Sequence, residues 1–210
     1  MSKVLVVAAH PDDETLGCGG TIAKHIAQGD QVFCLIMAGN HRSPDITDYF
    51  ISAMEVLGLV NYKLLGLPDM ELEKSTLWSL AQSIENFIRE IGVPDIIYTH
   101  SSRELSQDHR ITAEAVAIAM RPVWGKPFSI YAFDSPSSTE WSDRPFNATM
   151  FVDISKYMYK KIKAIQCYTT ETASPPHPRS EPSIRARSVY WGSHCGLTCV
   201  EAFTVIREVR

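Results

Sequence analysis

Lys3-Val4-Leu5-Val6-Val7-Ala8-Ala9-His10-Pro11-Asp12-Asp13-Glu14 is the stretch on which the reading of this chain turns. After one lysine, its first half is an unbroken apolar run without the polar alternation of a half-exposed strand. That pattern predicts a strand over Lys3–Ala9 that is covered on both faces. Working outward, strand-like and helix-like stretches alternate. Thr21–Gln28 has helical character and stops at Gly29-Asp30. Gln31–Met37 reads as a strand, Tyr49–Leu57 as a helix ended by Gly58, and Tyr62–Leu67 as a strand. Leu77–Ile91 carries an apolar stripe at helical spacing through Leu80, Ala81, Ile84, Phe87 and Ile88. Asp95–Thr99 is a strand, Ile111–Met120 a helix and Phe128–Phe133 a strand. Such alternation predicts an α/β protein with a mostly parallel sheet and helices on both faces. In such folds ligands bind outside the carboxyl ends of the strands.

Beyond residue 134 the pattern changes. Ser135–Pro145 is turn-rich and contains Trp141, Ile154–Tyr168 reads as a helix, Ser174–Pro178 is a break, and Ser183–Trp191 reads as a final helix before Glu201–Val209. No repeat or linker divides the chain, so residues 1–210 are expected to form one domain, with 135–210 as a C-terminal cap on it. Its 210 residues, 45% of them hydrophobic, suffice for one sizeable core.

The net charge of −4 does not suggest a nucleic-acid partner. Arg179, Arg185, Arg187, Arg207 and Arg210 alternate with Glu181, Glu201 and Glu208 and read as a mixed, solvated surface. The first apolar run is too short for a leader, and no stretch reaches the length of a membrane span, so no membrane insertion is expected. Five scattered cysteines suit reduced thiols in a cytoplasmic protein. Cys195 and Cys199 lack the second Cys/His pair of a structural zinc site.

The strand over Lys3–Ala9 runs directly into His10, Asp12, Asp13 and Glu14, followed by Gly17-Cys18-Gly19-Gly20, read as a loop with a glycine turn. Carboxylates beside a core are costly unless paired, hydrogen-bonded or bound to a cation. A helix-capping role for Asp12 or Asp13 is the plain alternative. The glycine run lacks the spacing of a dinucleotide cradle. A second cluster strengthens the metal reading: the strand ending at Thr99 leads through His100 and a polar loop into Asp108-His109-Arg110. Both loops belong at one sheet edge. His10, one of the two aspartates and His109 then offer a His-Asp-His set, leaving a carboxylate free as a base.

These segments are similar to the PIG-L/LmbE family of zinc-dependent N-deacetylases, which has a Rossmann-like fold. Ala9–Glu14 matches the family's A-H-P-D-D-E motif in full, and Asp108-His109 matches the end of its second motif. The resemblance implies a hydrolase that removes an N-acetyl group from an amino sugar or sugar conjugate. It implies His10, Asp13 and His109 as ligands of Zn2+, with Fe2+ also compatible. It further implies Asp12 as general base, Asp108 as an orienting carboxylate, Glu14 as a brace of the turn, and a homo-oligomer, trimer or hexamer. One position departs from the family: Ser106 stands where many members have a histidine. His177, in the Pro-bounded loop and able to come from a neighbouring subunit, and His100 are the candidates to replace it. Trp141 and its loop are candidates for sugar stacking, and Arg42 for orienting the substrate. Two other readings are kept: a zinc amidase of larger conjugates, and a non-catalytic sugar- or nucleotide-binding module.

Overall fold

A computed structural model describes residues 1–39 and 44–209. In chain order, the elements are β1 (Lys3–Ala8), α1 (Asp13–Ala27), β2 (Gln31–Ala38), α2 (Ile46–Leu57), β3 (Asn61–Leu67), α3 (Leu77–Ile91), β4 (Ile96–His100), α4 (Gln107–Ala119), β5 (Ser129–Phe133), β6 (Met150–Asp153), α5 (Met158–Cys167), α6 (Glu181–Ser193) and β7 (Val200–Arg207). A single 3-10 turn, Leu72–Lys74, lies between β3 and α3.

The described strands form one seven-stranded sheet in the order β3-β2-β1-β4-β5-β7-β6. β3, β2, β1, β4 and β5 run parallel, while β7 pairs antiparallel with both β5 and β6. The α/β expectation, Rossmann-like and mostly parallel, therefore holds. β1 sits in the middle, and every residue from Val4 to Ala9 is fully buried. Its side chains alternate between two cores. Val4, Val6 and Ala8 face α1, α2 and α5, whereas Leu5 and Val7 face α3 and α4. Each aliphatic side chain so buried is worth about 1.5–3 kcal/mol. Among the described residues no helix is long and apolar enough to cross a membrane.

The structure corrects the reading of residues 10–20. Asp13–Gly20 is helix, not a loop with a glycine turn. Asp12 makes the corner between strand and helix with φ 114°, and the helix starts at once. The glycines serve packing: a Cβ on Gly17 would overlap the Phe133 ring, and one on Gly20 would lie 2.8 Å from Ile154 Cδ1. Cys18 departs from helical geometry and kinks α1. The amide groups freed there are taken by distant residues. Glu201 accepts from the N–H groups of Gly20 and Thr21, and Lys161 Nζ donates to Leu16 O and to Glu201.

Other boundaries moved for similar reasons. α4 begins at Gln107 rather than Ile111, because Ser106 caps it through its Oγ. α5 begins at Met158 rather than Ile154, after a turn in which the N–H groups of Tyr157 and Met158 both donate to Ile154 O. Glu201–Val209, for which the pattern set no element type, is mostly strand β7. The region 135–210 thus extends the sheet through β6 and β7 and adds α5 and α6.

Candidate metal and catalytic site

The strand order reverses direction between β1 and β4, so the loops leaving their carboxyl ends diverge and open a crevice. His10–Asp12 follow β1, Asp69 follows β3, His100 ends β4, and the loop after β4 leads to Asp108 and His109 in the first turn of α4. Around them lies a cleft of about 450 Å3, also lined by Ser137, Trp141 and Arg179 from the C-terminal part.

The two distant motifs meet. The rings of His10 and His109 lie 5.4 Å apart. His10 Nδ1 and His109 Nε2 each stand 3.2 Å from the same oxygen, Asp13 Oδ2. The other nitrogen of each ring is held by carboxylates: His10 Nε2 by Asp108 at 3.1 Å and Asp69 at 2.9 Å, and His109 Nδ1 by Glu104 at 2.6 Å. Asp108 is itself fixed by the N–H groups of Met70 and Leu72. Two imidazoles converging on one carboxylate, each steadied from behind by another, is the pattern of a divalent-ion site with its outer hydrogen bonds in place. The ligand atoms of His10, Asp13 and His109 all lie within 4.8 Å of one another, so the donor set fits a single divalent ion. His100, Glu104 and His109 form a second such group, and His10, Asp69 and Asp108 a third.

Electrostatics carry the same message. Burial lowers the basicity of His10, but its hydrogen bonds to Asp108, Asp13 and Asp69 outweigh this and lift its pKa to about 12. Burial acts against His109 too, yet the charge of Asp13 and the hydrogen bonds to Asp13 and Glu104 raise it to about 9. Asp13 is buried, yet His109 and His100 hold it well below the usual carboxylate range. The cluster has carboxylates in excess, which favours positive charge on its imidazoles.

Asp12 differs from its neighbours. Its side chain caps nothing, and it lines the cleft beside the imidazoles. Burial pushes its pKa up to about 8, opposed chiefly by the charge of Arg179. Its strained corner is braced by Glu14, whose Oε2 accepts the Asp12 N–H. Glu14 Oε1 accepts from Thr15 and Tyr168, so this buried carboxylate is occupied with bracing, as expected.

His100 is fully buried. Its Nε2 accepts from the Ala9 N–H, its Nδ1 faces Ser135 Oγ, and its ring stacks on His109 at 3.9 Å. Burial and the neighbouring His109 lower its pKa. It ties the ends of β1 and β4 together and does not reach the cleft.

His177 is likewise outside the cleft lining. Its Nδ1 accepts from the Arg179 N–H, and its ring meets Trp141 edge-on at 5.6 Å. The residue that enters is Arg179, which the charge pattern assigned to a solvated surface. Its guanidinium lies 2.6 Å from Asp12 Oδ2, 2.7 Å from Ser137 Oγ and 3.4 Å from Glu171. Arg187 also corrects that reading, since Asp134 holds it bidentately. Arg42 lies outside the described residues. All five cysteines are free, with Cys195 exposed and Cys199 partly buried.

Asp69, Glu104 and Arg179 are the site residues that the motifs missed. Asp69 was within reach of the rule that ligands lie beyond strand ends, since it follows β3 directly. Glu104 lies in the polar loop before Asp108. Arg179 lies in Pro176–Ser180, a segment that also resembles family members but carries no sign of its role, and it is brought in by the return of the chain after α5.

Comparison with known proteins agrees with this geometry. The chain is 26% identical to the diacetylchitobiose deacetylase of Thermococcus kodakarensis over 93% of its own length and 80% of the relative's. Among solved structures, it superposes on N,N'-diacetylchitobiose deacetylase from Pyrococcus horikoshii with a TM-score of 0.80 and 22% identity, over 98% of this chain and 84% of that one. It also superposes on GalB, the 4-carboxy-2-hydroxymuconate hydratase of Pseudomonas putida, with a TM-score of 0.74 and 22% identity over 100% and 98% of the two chains. These two likenesses concern the fold, which carries more than one chemistry. The profile described as PIG-L, GlcNAc-PI de-N-acetylase, matches residues 5–120, which include both motifs of the site. With more than half of its length matched, and with curated deacetylases among its relatives, the chain belongs to the PIG-L family and is a deacetylase, a hydrolase of amides.

Proposed function

We propose that this protein is a metal-dependent N-deacetylase of an N-acetylated amino sugar or sugar conjugate, with zinc as its metal and acetate as one product. The single observation that carries the reading is the convergence of His10 Nδ1 and His109 Nε2 on Asp13 Oδ2 beside a carboxylate, Asp12, that faces the cleft. A divalent ion held by His10, Asp13 and His109 would supply Lewis acidity to the amide carbonyl and to the attacking water.

The residues of the chain do the rest. Asp12 takes the proton from the attacking water at its carboxylate and returns it to the leaving nitrogen, which matches the lack of a histidine at Ser106. Arg179 fixes Asp12 through Oδ2, so the base has one orientation toward the cleft. Asp108, Asp69 and Glu104 keep the imidazoles in their ligating orientation. His177 supports Arg179 and Trp141 and does not touch the reacting atoms. Trp141, 53% exposed at the rim, offers a face on which a sugar ring can stack.

The test pairs metal analysis with acetate release. Wild-type protein loaded with zinc should release acetate from N-acetylglucosamine conjugates. His109→Ala should lose bound metal and acetate release together. Full metal stoichiometry in that variant would remove His109 from the ligand set, and release of a bulkier acid instead of acetate would move the reading to a larger amide. A protein that takes up no metal would favour a binding module.

A further inference from the structure

Three serine hydroxyls line the cleft, those of Ser106, Ser137 and Ser138. Each accepts one N–H: Ser106 from His109 at 3.4 Å, Ser137 from Arg179 Nε at 2.7 Å, and Ser138 from Ser106 at 3.3 Å. A hydroxyl that accepts still has one proton to give. Among the described residues, none of the three gives it to a protein acceptor. Ser138 is the buried one, 5% exposed, whereas Ser106 and Ser137 are partly exposed. A buried hydroxyl of this kind is costly unless something in the cleft takes its proton as a hydrogen bond.

The turn that carries Ser138 is held in one geometry. The N–H groups of Ser138 and Thr139 donate to Ser135 O, the Ser135 N–H donates to Thr139 Oγ1, and Ser135 Oγ faces His100 at the end of β4. Ser137 has φ 68°, in the left-handed region. Asp12 and Met70 are the other non-glycine residues with positive φ among the described residues, and all three line the cleft. Such strain gathers where a site is held in one arrangement. Through Ser106 the turn is fastened to the first turn of α4, which carries His109, and through Ser137 to Arg179, which clamps Asp12.

We infer that Ser138 is a catalytic residue whose hydroxyl donates to the amide oxygen as that oxygen becomes an oxyanion. The inference rests on the deacetylase reading and adds a residue to it. When water adds, its oxygen bonds to the carbonyl carbon, the π pair of C=O passes to the oxygen, and one water proton goes to Asp12. When the C–N bond breaks, its pair goes to nitrogen, which takes that proton. The oxyanion pair re-forms C=O, leaving the amine and acetic acid, which ionises to acetate. Ser138 keeps its proton throughout. Its hydrogen bond strengthens as negative charge grows on the oxygen, so it favours the transition state over the bound amide.

The test combines turnover with a tetrahedral mimic. Ser138→Ala should lower kcat for an N-acetylglucosamine glycoside by about 10²–10³-fold, the cost of one oxyanion donor, with KM, metal content and denaturation midpoint near wild type. Ser138→Thr should restore most of that loss, and Ser138→Val, matched to it in size but without the hydroxyl, should not. The Thr and Val pair decides the point if Ser138→Ala does not fold. A methylphosphonamidate of glucosamine, whose phosphoryl group imitates the oxyanion, reads the contact without turnover. Its Ki should rise across the variants in proportion to the loss of kcat/KM, a correlation that a merely structural role of the turn would not give. Wild-type kcat in Ser138→Ala, a fall in kcat shared equally by Thr and Val, or a loss of turnover that tracks loss of metal overturns the inference. A wild-type protein that releases no acetate counts against the deacetylase reading instead. Phosphonamidate binding that still depends on the Ser138 hydroxyl would then support the donor, and binding indifferent to it would remove the donor as well.

Discussion

Helix α1 carries a buried polar cluster near each of two points, and the two are built on opposite plans. At the kink around Cys18, Glu201 accepts from Gly20, Thr21 and Lys161, and Lys161 also donates to Leu16 O. One acid meets one base, and the freed backbone groups complete the set. At the N-terminal end, Asp12 and Asp13, with Asp69 and Glu104 from loops and Asp108 from α4, surround the imidazoles of His10 and His109 and one arginine. There the negative groups outnumber the positive ones. A buried cluster that closes on itself is a structural tie, while one that keeps excess charge and faces a cleft is prepared for a ligand. The same segment therefore holds a staple and a site, and burial alone does not separate them.

Substitutions that touch one cluster and spare the other sharpen the contrast. The largest effect is expected from Asp12→Asn, which should keep the metal and the fold but lower turnover by about 10²–10⁴, the usual contribution of a general acid–base group. Near-normal kcat in the metal-loaded variant would reject the base assignment. Lys161→Met should do the reverse. Leaving Glu201 buried without its partner costs about 3–5 kcal/mol, read as a fall in denaturation midpoint, while the metal site of the folded fraction stays intact. A variant as stable as wild type would show that the pair is not the staple described.

Smaller effects separate the shells of each cluster. Glu104→Gln should weaken metal affinity by about 10–100-fold, as loss of a carboxylate behind a ligating histidine does. Unchanged affinity in a competition with a chelator would assign Glu104 to loop structure. Gly17→Ala should destabilise by about 1–3 kcal/mol, because the added methyl meets the Phe133 ring. A neutral result would mean that β5 and α1 can move apart, and a loss of activity without loss of stability would tie the helix position to the site.

Much of the site was legible from local order. His10, Asp12 and Asp13 stand at the end of an apolar strand, and Asp108 and His109 follow another, so the strand-end rule brings them to one edge. The glycines misled, because Gly17 and Gly20 look like a turn in the sequence yet serve helix packing against Phe133 and Ile154. Ser106, seen first as a missing histidine, turned out to hold the cap of α4.

The sequence by itself determined the parallel α/β sheet and the meeting of the two motifs, because periodicity and strand ends are properties of neighbouring residues. Only the tertiary structure decided that Arg179 clamps Asp12 across 167 positions, that Glu201 and Lys161 close the kink of α1, and that β7 runs antiparallel at the sheet's far side. Those pairings join residues whose local surroundings carry no trace of their partners. Taking the charges of the Arg179–Asp12 and Lys161–Glu201 pairs out of water costs energy that only a well-placed partner offsets, and the partner's place depends on where the folded chain returns.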